Sequence, residues 1–265
     1  MALWLVATPI GTLGDASPRM REVLGQATAI ACEDTRTTRK LLGLLGVSAP
    51  ELFAVHAHNE EQVAQRIAER AASEDIALVS DAGTPGVSDP GSRVVSACHA
   101  AGVSVLSVPG PSALAAALAA SGFPAAPSTF LGFPPRKGRE TWVRETLLAH
   151  AHTVVLYEAP GRTPDLVKRI AAEQPDRELC LCREISKRFE EVRRDRAEVL
   201  AAALEEGVRG ECVLVVGPGE PLALEQASVE AGASLKDVAA VLAERWGVKK
   251  REAYQRLLAL ESEQD

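Results

Sequence analysis

Short apolar runs alternate with helical patterns along the first half of the chain. The apolar runs occupy residues 3–7, 28–32, 76–79 and 103–107. Between them, apolar residues recur with the helical period, most clearly at 60–72 and 93–101. Strands that alternate with helices are typical of parallel sheets, because a parallel pair of strands needs a long crossover connection. The pattern therefore predicts an α/β fold built on a parallel sheet.

Three of these predicted strands end in loops rich in glycine, proline and small hydroxyl residues. The loops read T-P-I-G-T-L-G-D at 8–15, S-D-A-G-T-P-G-V-S-D-P-G at 80–91 and P-G-P-S-A at 109–113. Because glycine has no Cβ, main-chain N–H groups in such loops can approach a ligand closely. Ligands of parallel sheets bind beyond the carboxyl ends of the strands, so the loops predict one shared pocket. Asp89 and Pro90 are predicted to begin the helix after the second loop.

The second half of the chain has a similar plan. Residues 122–127, G-F-P-A-A-P, interrupt the helical periodicity and mark a predicted domain boundary. Predicted strands follow at 153–157, 178–182 and 212–216, and predicted helices at 140–149, 163–172 and 197–205. Two amphipathic helices, 234–246 and 249–260, then flank a turn at Gly247. We therefore predict α/β domains at 1–121 and 122–220, and a helix-turn-helix-like tail at 221–265.

The composition is typical of a soluble globular enzyme, with 46% hydrophobic and 25% charged residues in a chain of 265. The formal net charge of −7 argues against bulk attraction to nucleic acid or to an anionic membrane. The first apolar run stops at Pro9 and no basic segment precedes it, which predicts neither a signal peptide nor a membrane span. We expect a cytoplasmic protein with reduced cysteines and no bound metal.

Two common phosphate-binding motifs are missing from the sequence. G-x-G-x-x-G does not follow the first predicted strand, and G-x-x-x-x-G-K-[S/T] does not occur. A ligand is therefore expected to lie against the main chain of the three loops. His56 and His58 suggest metal ligands, but Asn59 and Gln62 more readily form a capping box for the next predicted helix.

The segment E-D-T-R at 33–36 follows the second predicted strand and leaves two interpretations open. Its carboxylates and its guanidinium could orient a polar substrate at the same sheet edge as the three loops. Alternatively, Asp34 is simply the N-cap of the next helix. Both interpretations fit the spacing.

Basic residues cluster at three places in the second half and the tail. The clusters are Arg136-Lys137-Gly138-Arg139, Lys187-Arg188 with Arg193-Arg194-Asp195-Arg196, and Lys249-Lys250-Arg251. Such runs are either solvated faces or, where they adjoin, a phosphate-binding surface on an otherwise acidic protein. The second interpretation favours an RNA partner.

Several motifs resemble one protein family in their order and spacing. They include the three loops above and C-E-D-T-R, H-A-H-N-E-E, F-L-G-F-P-P-R-K-G-R, Y-E-A-P-G-R, C-R-E-I-S-K-R-F-E-E and G-E-C-V-L-V-V. Together they resemble the 16S rRNA (cytidine-2′-O)-methyltransferase branch of the tetrapyrrole methylase superfamily, over residues 3–217. Pro134, Ser186 and Cys212 depart from the residues common in that branch.

The resemblance implies two α/β domains of the class III methyltransferase type, with S-adenosyl-L-methionine in the cleft between them. It also implies a homodimer that acts on 16S rRNA, within the small ribosomal subunit. Transferred to this chain, the cofactor-binding residues of the family are Pro9, Asp81, Ala82, Gly83, Ser88, Asp89, Ser112, Ala113, Leu156, Tyr157, Gly210 and Glu211.

Methylation of a ribose hydroxyl needs a base or a cation beside the oxygen, because the neutral hydroxyl is a weak nucleophile. Lys187 and Glu184 are the first candidates, followed by Asp34 and Glu191. The candidates for binding RNA are Arg36, Arg136, Lys137, Arg139, Arg162, Lys249, Lys250 and Arg251.

Two other functions fit parts of this pattern. A tetrapyrrole (precorrin-type) methyltransferase would share the scaffold and the cofactor, but such enzymes usually carry G-x-G-P-G-D where this chain has T-P-I-G-T-L-G-D. A non-enzymatic nucleic-acid-binding regulator built on the tail would leave the three ligand loops without a role.

Overall fold

A computed structural model describes residues 1–56 and 59–222, and in the tail residues 236, 239, 240, 243, 249–251 and 253–255. The strands are β1 (Leu3–Val6), β2 (Ala29–Cys32), β3 (Glu51–Ala54), β4 (Ile76–Val79), β5 (Val105–Val108), β6 (Ser128–Phe130), β7 (Thr153–Glu158), β8 (Glu178–Arg183), β9 (Glu191–Arg196) and β10 (Cys212–Val216). The helices are α1 (Pro18–Gln26), α2 (Thr35–Leu45), α3 (Glu60–Ala71), α4 (Ser92–Ala100), α5 (Ala113–Ser121), α6 (Arg139–Trp142), α7 (Thr163–Glu173) and α8 (Ala197–Ala203).

The first sheet is parallel throughout and has the strand order β3-β2-β4-β1-β5. Strand β1 leads through α1 toward β2, whereas its neighbour β4 leads through α4 toward β5. Helices α1 and α2 pack on one face of the sheet, and α3 and α4 pack on the other. The chain therefore leaves β1 and β4 in opposite directions. Open α/β sheets bind their ligands in the crevice that such a reversal creates.

Local sequence explains how several of these helices begin. Ser17 accepts a hydrogen bond from Met20 N at 3.0 Å, and Pro18 occupies the first helical position of α1. Ser112 caps α5 in the same way, and Gly122 ends that helix in the left-handed conformation. Hydroxyl N-caps and C-terminal glycines satisfy main-chain groups that a helix leaves unpaired at its ends.

The second sheet is mixed and has the order β6-β7-β10-β8-β9. Only the β6–β7 pair is parallel among the strand pairs recorded for this sheet. One face packs against α7 and α8. The other face packs against α5, whose Ala117 is buried with Val155 and Cys182. Helix α5 therefore lies before the predicted boundary between residues 121 and 122, although it packs against the second sheet.

The structure differs from the sequence prediction in a few elements. The short strands β3 and β6 and the charged edge strand β9 were not predicted. The predicted helix at 140–149 is instead the single turn α6, continued by a π-helical turn, Val143–Leu147. The predicted helices at 234–246 and 249–260 lie mostly outside the described residues. Among the described residues, no helix has the length and apolar character needed to cross a membrane.

Candidate functional site

The three glycine- and proline-rich loops meet at the carboxyl edge of the first sheet, as predicted. Thr8 and Gly83 exchange main-chain hydrogen bonds of 2.9 and 3.0 Å, which join the first loop to the second. Thr84 Oγ1 donates to the carbonyl of Pro111 at 3.5 Å, which joins the second loop to the third. The loops therefore form one continuous surface at the carboxyl ends of β1 and β4, where the chain reverses direction, and we call this region the crevice.

The end of the second loop is held by a carboxylate from a different helix. Glu60 is buried, and its Oε1 accepts hydrogen bonds from Gly91 N at 2.9 Å and Arg93 N at 2.8 Å. Helix α4 begins only at Ser92, after Gly91 with φ of 142°. The prediction that Asp89 and Pro90 begin this helix is therefore wrong. The cap comes from Glu60, and Asp89 instead accepts a hydrogen bond from the side chain of Ser80.

The predicted capping box before α3 is also absent. Asn59 makes no side-chain bond to the start of α3. Its Oδ1 accepts from His56 N at 2.8 Å, and its Nδ2 donates to the carbonyl of Ala54 at 3.0 Å. The amide thus tightens the turn that leads from β3 into α3. His58 lies outside the described residues, and among the described residues no group of acidic, histidine and cysteine side chains could hold a metal ion.

The crevice between the loops is acidic. Burial, together with the nearby charges of Glu33 and Asp81, raises the pKa of Asp89 to about 6, although a hydrogen bond from Ser80 acts in the opposite direction. Burial also raises the pKa of Asp81, whose Oδ1 accepts a hydrogen bond from Asp34 N at 3.2 Å. Neither Asp81 nor Asp89 forms an ion pair with another described residue. Such a site favours a cationic ligand, because neither carboxylate is held in an ion pair within the described part of the chain.

The second domain supplies the opposite wall through Tyr157 at the end of β7. Leu114 N donates a hydrogen bond to the Tyr157 hydroxyl at 3.1 Å. The same hydroxyl is close enough to Asp89 to interact with its charge. The predicted cofactor residues Tyr157, Ser112 and Ala113 are therefore brought together beside Asp89. Leu156 does not share this position, because its side chain is buried in the core on the other face of the second sheet.

The loop 184–190 after β8 holds the candidates Lys187 and Glu184. Lys187 Nζ lies 2.9 Å from Glu184 Oε1 and 2.8 Å from Glu211 Oε2, and Glu211 N donates to Glu184 at 3.0 Å. Burial lowers the pKa of Lys187, but its hydrogen bonds to Glu211 and Glu184 outweigh that effect and leave the pKa raised. The hydrogen bond from Lys187 lowers the pKa of Glu184. Lys187 is therefore a cation, and Glu184 is a weak base.

Loop 184–190 also contacts the first loop directly. A side chain at Gly11 would meet Lys187 Cγ at 2.5 Å, so only glycine allows this approach. Thr12 N donates to Ser186 Oγ at 3.2 Å, and Ser186 Oγ donates in turn to Asp15. The first domain thus positions the loop that carries Lys187.

Backbone strain concentrates in the same loops. Among the described residues, the non-glycine residues with positive φ are Ser88 at 64°, Glu184 at 51° and Ser186 at 66°. Non-glycine residues rarely adopt this conformation, and it recurs at binding and catalytic sites. The strained positions coincide with loops that the sequence singled out.

Asp34 is the N-cap of α2. Its Oδ1 accepts from Arg36 N at 2.7 Å, and its Oδ2 lies 2.7 Å from the exposed Arg36 guanidinium. The hydrogen bond from Arg36 lowers the pKa of Asp34 to about 2. A carboxylate with so low a pKa is a poor base at neutral pH. The other alternate candidate, Glu191, pairs with Arg183 at 2.5 Å. We therefore leave both out of the proposed catalytic set.

Two of the predicted RNA-binding arginines pair with a buried carboxylate instead. Arg139 is only 8% exposed and pairs with the fully buried Glu158, which also lies 2.8 Å from Arg162 Nη2. The prediction that Arg139 binds a phosphate is therefore wrong, because its guanidinium is enclosed by the protein. Arg162 is half-buried and shares the same carboxylate. In the sequence these residues belong to two separate motifs, F-P-P-R-K-G-R and Y-E-A-P-G-R, and neither motif indicates that they pair with each other.

The remaining basic residues divide into paired and unpaired groups. On β9, Arg193, Arg194 and Arg196 pair with Asp195, Glu178 and Asp176, so this part of the predicted basic surface is neutralised. Arg136 and Lys137 are exposed and have no acidic partner among the described residues. Lys249, Lys250 and Arg251 are exposed as well.

The sequence is similar to a characterised family and to several curated proteins. The family described as tetrapyrrole (corrin/porphyrin) methylases matches residues 2–201. A protein of Xylella fastidiosa named ribosomal RNA small subunit methyltransferase I is 46% identical over 81% of this chain and 80% of its own length. A Pseudomonas aeruginosa protein of the same name is 40% identical over 97% of this chain and 96% of its own.

Solved structures share the fold at low sequence identity. A diphthine synthase matches with a TM-score of 0.62 and 16% identity, over 81% of this chain and 89% of its own. A uroporphyrin-III-C-methyltransferase from Thermus thermophilus matches with a TM-score of 0.56 and 24% identity, over 81% and 93% of the two chains. The predicted fold, two α/β domains of the tetrapyrrole methylase type, is confirmed.

Proposed function

Because the chain belongs to the tetrapyrrole methylase family, in the branch of proteins named ribosomal RNA small subunit methyltransferase I, we propose that it methylates 16S rRNA. The proposed reaction transfers a methyl group from S-adenosyl-L-methionine to the 2′-hydroxyl of a cytidine in the decoding region. One observation carries this proposal: the three loops meet at one crevice, and the second loop contributes two acids, Asp81 and Asp89, that form no ion pair with a described residue.

The residues of the crevice fit S-adenosylmethionine. That cofactor carries a sulfonium and an ammonium group, and when bound it supplies an electrophilic methyl group. The carboxylates of Asp81 and Asp89 offer the negative charge that such a cation needs, and neither forms an ion pair with another described residue. The main chain of Ala82 and Gly83, the hydroxyls of Ser88 and Ser112, and Tyr157 complete the proposed set. Pro9, Ala113, Gly210 and Glu211 remain proposed contacts at its border.

The protein's own contribution to the reaction is orientation and charge. Methyl transfer is an in-line displacement, so holding the acceptor oxygen in line supplies much of the rate. The Lys187 ammonium would stabilise the negative charge that develops on the ribose oxygen as the hydroxyl proton leaves to solvent water, and Glu184 and Glu211 would hold the ammonium group in place. Lys187 is a cation and not a base, because its hydrogen bonds hold its proton in place.

Arg136, Lys137 and Arg36 are proposed to contact RNA phosphates, together with Lys249, Lys250 and Arg251. Arg136 and Lys137 carry most of this proposal, because they are exposed and lack acidic partners within the described part of the chain. The protein is acidic overall, so these residues would guide the RNA locally rather than by net attraction. We further propose that the protein is cytoplasmic and that it forms a homodimer. Sedimentation equilibrium of the purified protein would test the dimer.

One experiment tests the central proposal. The protein is incubated with labelled S-adenosylmethionine and small ribosomal subunits that lack the modification, and the product is mapped by mass spectrometry. The expected result is a methyl group on the ribose of a single cytidine. Label on a base, or no transfer to RNA, would contradict the proposal. A parallel reaction with a porphyrinogen acceptor tests the tetrapyrrole alternative, and binding of the labelled cofactor alone tests the regulator alternative.

A further inference from the structure

Two phenylalanine rings are unusually exposed beside the crevice. Phe133 is 56% exposed and Phe189 is 66% exposed, and they are the aromatic members of the exposed large hydrophobic residues in the described part of the chain. Aromatic side chains normally bury most of their surface, because a ring carries a large apolar area. Exposure of two rings near one site therefore points to a partner that covers them.

Each ring lies on a second-domain loop that touches a different ligand loop of the first domain. Phe133 packs edge-on against Tyr157, with ring centroids 5.6 Å apart, and a side chain at the neighbouring Gly132 would lie 3.4 Å from Ser88 Oγ. Phe189 is in loop 184–190, which contacts the first loop through Ser186 and Thr12. The two rings thus belong to the two loops that border the crevice.

Unpaired cations accompany both rings. Arg136 and Lys137 follow Phe133 closely, and the Arg188 guanidinium carbon lies 5.5 Å from the Phe189 ring centroid. Among the described residues, none of these cations has an acidic partner, whereas the arginines of β9 are paired. A flat apolar surface combined with free positive charge matches a partner that is both anionic and aromatic.

Unpaired RNA has that chemistry, since it offers phosphates and exposed base faces together. We propose that Phe133 and Phe189 are stacking platforms for unpaired bases next to the nucleotide that is methylated. This inference rests on the proposed function. The rings hold the strand by its bases while Arg136, Lys137 and Arg188 hold its phosphates. The acceptor ribose is then presented between the two loops, near Lys187.

The test compares ring removal with ring replacement. Phe133→Ala and Phe189→Ala are each expected to weaken binding of a single-stranded oligocytidylate by roughly tenfold, because one stacked base is lost. Phe133→Trp and Phe189→Trp are expected to retain binding, since tryptophan offers a larger ring. Leu44→Ala is the matched control. Leu44 is 59% exposed, but it lies at the C-terminal end of α2, the end opposite Asp34. Dissociation constants are measured by fluorescence anisotropy at fixed salt, with small ribosomal subunits as a second probe.

Salt dependence separates stacking from charge. Arg136→Ala and Lys137→Ala are expected to reduce the slope of log Kd against log salt, because fewer counterions are released. The alanine variants of the two phenylalanines are expected to shift Kd while keeping the wild-type slope.

Three results would overturn the inference. The first is unchanged RNA affinity in the double alanine variant. The second is an equal loss of S-adenosylmethionine affinity in the alanine variants, which would mean that the rings support the cofactor site. The third is a change from dimer to monomer in sedimentation, which would mean that a second copy of the chain covers the rings. Failure of the wild-type protein to methylate small subunits would instead contradict the proposed function itself.

Discussion

The acids of the first-domain loops and the acids of the second domain have opposite electrostatic surroundings. Asp81 and Asp89 have raised pKa values because they are partly buried, and neither forms an ion pair with a described residue. Glu184 and Glu158 instead bind Lys187 or arginines at short distance. The first pair is arranged for a cation that comes from outside, whereas the second pair positions cations that belong to the protein.

This difference assigns separate tasks to the two domains. The partly buried, unpaired carboxylates lower the free energy of unfolding of the ligand-free protein, and a bound cationic ligand offsets that loss. The paired acids stabilise the fold and fix the direction of a positive charge near the acceptor. Neutralising an unpaired acid should therefore raise the stability of the ligand-free protein and weaken cofactor binding, whereas neutralising a paired acid should lower the stability.

The largest effect on stability is expected for a paired acid. Glu158→Gln leaves the buried Arg139 guanidinium and the half-buried Arg162 guanidinium close together without the carboxylate that they share. Loss of one partner of a buried ion pair typically costs about 3 kcal/mol or more, so the free energy of unfolding should fall by about that amount. Urea denaturation monitored by circular dichroism measures it. Glu178→Gln is the control, because its partner Arg194 is on the surface. Similar losses in both variants would contradict the interior role of Glu158.

An unpaired acid should behave in the opposite way. Asp89→Asn is expected to weaken S-adenosylmethionine binding by about 30-fold, because a charge-assisted contact is lost. The same change should raise the Tm of the ligand-free protein by a few degrees, since it removes a carboxylate whose pKa is raised by folding. Isothermal titration calorimetry and thermal denaturation give the two values. Asp176→Asn, on the surface of the second domain, is the control, and a lower Tm for Asp89→Asn would contradict the comparison.

The pKa of Asp89 also predicts a pH dependence of binding. Above about pH 6 the carboxylate is charged and attracts a cation, and below that pH it becomes neutral. The affinity for S-adenosylmethionine should therefore fall by about tenfold between pH 7 and about pH 5. The stability contribution has the opposite sign: a raised folded pKa favours the folded protein as the pH falls. Binding that is equally dependent on pH in Asp89→Asn would assign the effect to another group.

The parts of the site that sequence could predict are those with a local signal. Each of the three loops follows an apolar run directly, and parallel strands bring such loops to one edge whatever the details of packing. Family resemblance then placed Asp89 and Tyr157 at the crevice. The strand β9 escaped prediction because five of its six residues are charged, so an edge strand with both sides partly solvated has no apolar run to mark it.

The contacts between distant segments had no such signal. The predicted capping box joined Asn59 to Gln62, and nothing in the sequence indicates that the carboxylate of Glu60, which lies between them, reaches Gly91 N. Arg139 looked like an exposed cation of a basic loop, because its partner Glu158 lies on another element. Charge runs show which residues are polar, but the tertiary fold decides which of them are enclosed.

The smallest predicted effect separates the two interpretations of the segment at 33–36. Asp34→Ala should lower the free energy of unfolding by about 1 kcal/mol, because the N-cap of α2 is lost. Asp34→Asn should keep most of that stability, since asparagine also caps helices, and it should keep methylation activity. Denaturation curves and the labelled-cofactor assay give both values. If Asp34→Asn folds with full stability yet loses methylation, the carboxylate acts on the substrate, and the division between unpaired and paired acids must be redrawn to include it.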